Sequence, residues 1–237
     1  MIKSESRGDV AVLTLDRDEK RNALSTELLR TLSTAFAAAH GARAIVLTGA
    51  GTVFSAGADL DEDEFDGSFF EHLFSLIDAI RSSRAPVIAY INGPAIGAGM
   101  MLSMACDIRV AARSARFLLP VGDMAIGVNE WVVRSLAEHV GASRARLMLI
   151  GGAPMDLDTA VSCGFAIGGT LERTLELADL VAAKAPLTMQ NIKAEFAPDL
   201  FTAPQREAAL RAPFGSDDIR EVGRARAEGR RPTFTGR

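Results

Sequence analysis

Residues 86–106 read PVIAYINGPAIGAGMMLSMAC, two apolar runs joined by Asn-Gly-Pro and Gly-Ala-Gly. The first run, Pro86 to Tyr90, predicts a strand, and the second, Met100 to Ala105, predicts a helix apolar on every side. Such a helix has to be covered all round. Gly97 and Gly99 let the backbone turn sharply between them and approach a neighbour closely. The first amides of the helix have no internal partner and carry the positive end of its dipole. They therefore suit a carbonyl oxygen that becomes negative. A tight strand-to-helix turn without a ligand has the same signature, and this motif alone does not separate the two.

A chain of 237 residues, 48% of them hydrophobic, is long enough to bury a core of this kind and still add an appendage. The net charge of −4 leaves no basic surface that asks for nucleic acid. Cys106 and Cys163 sit in apolar contexts with no C-x-x-C pair, which reads as reduced core thiols of a cytoplasmic protein. No apolar run approaches the length of a membrane span. The three histidines, His40, His72 and His139, are too scattered for a zinc site, so no metal is expected.

Along the chain, Asp9–Asp16 alternates as a strand that begins the sheet, and Arg17–Asn22 is a charged turn. Ser25 is an N-cap, with Glu27 in the first turn of a helix running to about His40 and ended by Gly41. Ala42–Gly49 is a buried strand rich in β-branched residues. Ala50–Leu60 is a loop of small residues, and Asp61–Asp66, DEDEFD, is an acidic run without EF-hand spacing. Phe69–Ser82 carries Phe70, Leu73, Phe74, Ile77 and Ile80 at helical spacing. Phe70, Phe74 and Ile77 fit either a core face or the lining of an acyl tunnel. After Cys106, DIRVAA and ARFLLP read as strands. Helices are expected over Trp131–Val140, Ser143–Ile150, Asp158–Cys163 and Leu171–Ala185, the last closed by Pro186. Leu187–Phe196 and Gln205–Ala212 are helical as well, before a basic tail from Ile219. Composition changes near residue 186, which predicts a core over residues 1–185 and a terminal helical module over 186–237.

Two small-residue loops, FSAGADL and NGPAIGAG, each follow an apolar strand, about forty residues apart. Paired strand ends bring one amide from each loop to a point, and two amides aimed at one oxygen form an oxyanion hole. With RNAL (Arg21–Leu24), IVLTGAGTVFSAGADL (Ile45–Leu60), PVIAYINGPAIGAGMMLSMACDIRVAA (Pro86–Ala112) and AEGRRPTF (Ala227–Phe234), the chain resembles the crotonase family, also called the enoyl-CoA hydratase/isomerase family. The resemblance implies an α/β fold, a crotonase-like spiral of ββα units with a C-terminal helical module. It implies a homotrimer or a dimer of trimers. It also implies an acyl-CoA ligand, with coenzyme A entering as part of that ligand and no covalently bound cofactor. The family's oxyanion amides fall on Ala58 and Ala98. Arg21, Ala23, Leu24, Ala56, Asp59 and Leu60 would line the coenzyme A, although Asp59 also reads as a cap of the next turn. Asp107 reads as a buried carboxylate bonded to backbone.

The resemblance breaks at the chemistry. Family hydratases orient water between two glutamates, and the corresponding positions here are Met101 and Val121. Neither takes or gives a proton, so ordinary hydration is expected to be lost. Losing both together is coherent, since one glutamate alone would stay buried without its partner. The family's PGAGG stretch is replaced by Val128–Val132, in which Trp131 either reshapes the pocket or packs in the core. Arg226 and Gly229 stand where the family has a phenylalanine and a lysine, leaving Arg230 or Arg231 as candidates for a CoA phosphate. Asp123, in line with Val121 if the chain stays extended, and Glu130 are candidate bases, and His72 is a weaker one. As a turn residue, Asp123 would instead face solvent. Three readings follow: a family enzyme acting on acyl-CoA thioesters, a non-catalytic acyl-CoA binder, as expected for an actinobacterial branch of the family that this chain resembles, and an isomerase or other oxyanion-hole catalyst using Asp123 or Glu130.

Overall fold

Strand β1 (Ile2–Arg7) pairs antiparallel with β2 (Val10–Leu15), and every later pairing in the main sheet is parallel. The computed structural model describes residues 1–60 and 67–237. The acidic run Asp61–Asp66 lies outside them. In chain order there follow α1 (Thr26–Ala38), β3 (Ala44–Gly49), α2 (Gly67–Ser82), β4 (Val87–Ile91), β5 (Ala95–Ile96) and α3 (Ala98–Ala105). Next come β6 (Ile108–Ala111), β7 (Arg116–Leu118), α4 (Glu130–Val140), α5 (Ala142–Gly151), β8 (Met155–Asp156), α6 (Leu157–Ser162) and β9 (Ile167–Gly168). The chain closes with α7 (Leu171–Ala182), α8 (Pro186–Phe196), α9 (Ala203–Arg211) and α10 (Asp217–Glu228). The main sheet has the order β1-β2-β3-β4-β6-β9, and a small second sheet has the order β5-β7-β8.

The spiral expected from the resemblance is visible in this order. Strand β4 enters the main sheet, β5 the second sheet, and α3 follows. The same step repeats as β6, β7 and α4. One step earlier, Ser55 after β3 bridges to Ala95 in place of a full second strand.

Period-2 alternation divides the core in two. On one face of the sheet Leu13, Ile45, Leu47, Val87 and Ala89 meet α1, α2 and α3. On the other, Val10, Val46, Ile88 and Val110 meet Ala178 and Ala182 of α7. Burial on both faces is why β3 reads as an unbroken apolar run. Helix α3 is buried at every position, as its composition requires. On α2 the core face is Phe69, Leu73, Leu76, Ile77 and Ile80, while Phe70 and Phe74 are half-buried and pack at its edge. Ser25 caps α1, its Oγ accepting from Leu28 N at 3.0 Å.

Several boundaries differ from the sequence reading. The sheet begins one strand earlier, because β1 is polar and exposed and shows no apolar alternation. Helix α7 stops at Ala182, and Pro186 opens α8 rather than closing α7, as a ring with fixed φ does well at a first helical position. Thr202 and Gln205 form a capping box that starts α9 two residues earlier than expected. The strand expected through Pro120 ends at Leu118, and residues 121–125 turn, with Ile126 N donating to Val121 O at 3.0 Å. Asp107 does bond backbone, accepting from Val87 N at 2.7 Å, but its side chain is 28% exposed rather than buried. It also receives Lys193 Nζ of α8 at 2.5 Å, which ties the C-terminal helices to the sheet.

Candidate functional site

The site is built from three loops that share backbone bonds. The first follows β2, where Arg21 and Asn22 both adopt positive φ, 54° and 53°. Asn22 is fully buried with its amide group satisfied. Its Nδ2 donates to Ala50 O at 2.9 Å and Val53 O at 2.7 Å, and its Oδ1 accepts from Arg17 N at 3.0 Å. This one side chain therefore ties the loop after β2 to the loop after β3. Ser55, also fully buried, adds a second tie: its Oγ donates to Asn22 O at 2.8 Å and accepts from Gly57 N at 3.2 Å.

The loop after β3 then runs beside both neighbours. Toward the first loop, Leu24 N donates to Gly57 O at 2.7 Å and Asp59 N donates to Leu24 O at 2.8 Å. These two bonds flank Ala58, so the Ala58 N–H points away from Leu24, as in any parallel bridge. Toward the third loop, Ile96 N donates to Ser55 O at 3.0 Å. The turn into α3 is pressed against it: a Cβ placed on Gly57 would stand 2.9 Å from Ile96 O and 3.7 Å from Ala98 N. A Cβ on Gly99 would meet Ser55 Cβ at 2.6 Å. Gly97 has φ of 52° and donates its N–H to Leu118 O at 2.8 Å. Ala98 is the first residue of α3, and its amide lies before the internal ladder begins. Among the described residues no acceptor meets the N–H of Ala58 or of Ala98.

Met101, on the first turn of α3, is buried, and Val121 is half-buried. Because the chain turns after Val121, the extended geometry that would line up Asp123 with it does not occur. Asp123 is exposed, its carboxylate near Gly152 at the end of α5. Glu130 is 76% exposed on its side chain and pairs with Arg134 one turn on, at 2.7 Å. His72 accepts from Arg30 Nε at 3.0 Å across α1 and α2.

The residues expected along coenzyme A are brought to one edge, with differences. Arg21 O accepts from Ala56 N at 3.0 Å, and Leu60 is exposed. Ala23 and Leu24 are buried, and Leu24 spends its side chain in the core and its backbone on the bridge to Ala58. Asp59 is neither open nor simply a loop cap, because its carboxylate pairs with Arg17 at 2.6 Å. In the tail, Gly229 is the left-handed C-cap of α10, and Arg230 is held by Glu221 and Glu228. The Arg230 guanidinium holds Glu221 at about 2, far below the usual carboxylate range.

A cavity of about 810 Å³ lies elsewhere, between the far end of α3, α4 and α8. Trp131 stands in its wall, edge-to-face with Phe74 at 6.5 Å and under the Arg81 guanidinium at 5.5 Å. Cys106 and His139 line it too. Burial pushes the Cys106 thiol up to about 12. Burial first, and then the Arg109 charge, hold the His139 imidazole down at about 4. At neutral pH both are uncharged.

Asn22 and Ser55 join the loops, and Arg17 bonds both Ala23 and Asp59; sequence reasoning did not single these three out. The available signal was a polar residue set inside each small apolar loop. In RNAL the arginine, alanine and leucine are the residues expected along coenzyme A, while the asparagine holds the loops together.

The family model for enoyl-CoA hydratase/isomerase matches residues 5–237. A protein of Mycobacterium bovis named probable enoyl-CoA hydratase echA6 is 40% identical over 234 residues, covering 95% of this chain and 96% of its own length. A probable enoyl-CoA hydratase of Bacillus subtilis is 31% identical over 247 residues, covering 96% of this chain and 95% of its own. Among solved structures, an enoyl-CoA hydratase from Bacillus anthracis superposes with a TM-score of 0.90 at 26% identity, covering 100% of this chain and 99% of that one.

Proposed function

The chain belongs to the enoyl-CoA hydratase/isomerase family, and from that premise we propose that it binds acyl-CoA thioesters and has lost ordinary enoyl-CoA hydration. The observation that carries this reading is the free pair of amides at Ala58 and Ala98 with Met101 beside it. A thioester oxygen seated between the two N–H groups accepts both bonds. Such a donor supplies about 3 kcal/mol when negative charge develops on the oxygen. The coenzyme A would run along Arg21, Ala23, Ala56, Asp59 and Leu60, with backbone rather than the Leu24 side chain facing it.

Polarising the carbonyl prepares the β carbon but does not add water to it. Water has to be oriented and stripped of a proton, and a proton delivered to the α carbon. Met101 and Val121 do neither. Glu130 is committed to Arg134 and open to solvent, and Asp123 turns toward α5, so neither favours the isomerase reading over simple binding. The protein is proposed to act in the cytoplasm, where its thiols at Cys106 and Cys163 stay reduced, and to assemble as a homotrimer or a dimer of trimers.

One purified sample tests the core of this. Calorimetry with short- and long-chain acyl-CoA should show binding, and crotonyl-CoA should not be hydrated. Ala98→Pro removes one amide at a position where proline suits a helix start, so the preference for acyl-CoA over free CoA should fall while the fold persists. Hydration of crotonyl-CoA that Ala98→Pro abolishes would overturn the reading of Met101 and Val121. A 3-enoyl to 2-enoyl conversion lost in Asp123→Asn or Glu130→Gln would establish the isomerase instead.

A further inference from the structure

We infer that Arg17 is a positioning residue for the thioester, clamping from the side the two loops whose bridge aims the Ala58 amide. The inference rests on the amide-pair reading above. A single guanidinium nitrogen, Nη1, donates to Ala23 O at 3.1 Å and meets Asp59 Oδ2 at 2.6 Å. Those two partners are the chain neighbours of Leu24 and Ala58, the residues that form the bridge. The bridge itself has only two backbone bonds, so the Arg17 contacts add one tie on each strand of it.

Arg17 is well placed for this because its own backbone is fixed. Its N–H donates to Asn22 Oδ1, and its carbonyl accepts from Lys20 N and Asn22 N. The pair is shielded from water, with 18% of the Arg17 side chain and 6% of the Asp59 side chain exposed. A pair in that setting keeps its geometry where a surface pair would not. Without the guanidinium the bridge loses its outer tie on both strands, and Ala58 directly precedes Asp59. The Ala98 amide, by contrast, is held by α3, with no contact to Arg17. Loss of Arg17 should therefore disable one donor of two.

The test is infrared difference spectroscopy of hexanoyl-CoA labelled with carbon-13 at the thioester carbonyl, at saturating protein. Bound to the wild type, the carbonyl stretch should move to lower frequency. Arg17→Gln should reduce that shift to what one donor gives, and lower the preference for hexanoyl-CoA over free CoA about fivefold, the worth of one ordinary hydrogen bond. Arg17→Lys should restore the shift, because one nitrogen makes both contacts. Asp59→Asn removes the charge pair from the other side and gives a second reading if Arg17→Gln does not fold. A full wild-type shift in folded Arg17→Gln or Asp59→Asn overturns the inference. A wild type that binds the ligand with no carbonyl shift defeats the amide-pair reading itself, a different failure that takes this inference with it.

Discussion

Asn22 does at the scale of one residue what the loops cannot do by themselves. Its two donors satisfy the carbonyls of Ala50 and Val53, which are half-buried. Replacing it with alanine strands both. At the low end of roughly 1–3 kcal/mol for each unmet group, since both carbonyls are only half-buried, Asn22→Ala should cost about 2 kcal/mol in urea unfolding. It should also weaken acyl-CoA binding, since the loop carrying Ala58 loses its anchor. His139 matters through its titration, although its Nε2 also lies 3.4 Å from Met104 O. Its imidazole titrates at about 4 in the folded protein, held down by burial and then by Arg109, against about 6.5 in an unfolded chain. A depressed folded value means the unfolded state takes the proton first. Its contribution, about 3 kcal/mol at most, is whole above about pH 6.5 and is lost as pH falls toward about 4. The unfolding midpoint should therefore drop across that window. His139→Gln, which cannot gain the charge, should flatten the slope; an unchanged slope would remove His139 as its source.

Helix α8 shows how an element is tied down through one side chain. Lys193 is buried, pairs with Asp107 Oδ2 and donates to Ile80 O at 3.2 Å, so it reaches the ends of both α2 and the strand turn before β6. Asp107 keeps its bond from Val87 N and some contact with water, so the loss in Lys193→Ala should be smaller than for a fully buried pair, about 2 kcal/mol. The sharper effect should be on docking: limited proteolysis should cut the connection between α7 and α8 faster in the variant than in the wild type. Equal cutting rates would mean the apolar contacts of α8 suffice. The backbone bond of Asp107 was legible in the sequence, but its tie to Lys193 was not, because the two residues are far apart in the chain and Lys193 reads locally as an ordinary charged residue. What was legible had strong local chemistry: the apolar run of β3, the all-round burial of α3, the Ser25 cap, and the pair of small-residue loops. The turn at Val121–Ala125 was legible only as one of two readings, because Pro120 and Gly122 in LLPVGDM allow a break without fixing its place; Asp123 takes the solvent-facing turn position and not the one in line with Val121. The same limit applies to Arg17 and Asn22, whose partners lie in loops that only the folded sheet brings together.

At the scale of the whole molecule, the C-terminal helices leave apolar surface uncovered. Phe196 of α8 is 83% exposed, and Phe214, in the 3-10 turn Ala212–Gly215 after α9, is 73% exposed. Ile192 of α8 and Leu210 of α9 are exposed as well, and α8, α9 and the 3-10 turn pack against one another. A single exposed leucine needs no explanation, but two phenylalanines and two aliphatic side chains on one module form a surface that a monomer has reason to cover. The tail does not cover it, since residues 233–236 are folded onto α10 by Asp218 and Glu221 and toward β3 by Arg43. A second copy of the chain is the occupant that the proposed trimer supplies. Light scattering should then give a mass of three or six chains for the wild type at micromolar concentration. Phe196→Glu with Phe214→Glu should shift it toward one chain while leaving the far-ultraviolet circular dichroism unchanged. The coupled question is whether binding follows: the amides of Ala58 and Ala98 come from one chain, so a folded monomeric variant should still polarise a thioester. A wild type that runs as a monomer would remove the assembly and leave those exposed phenylalanines to some other partner.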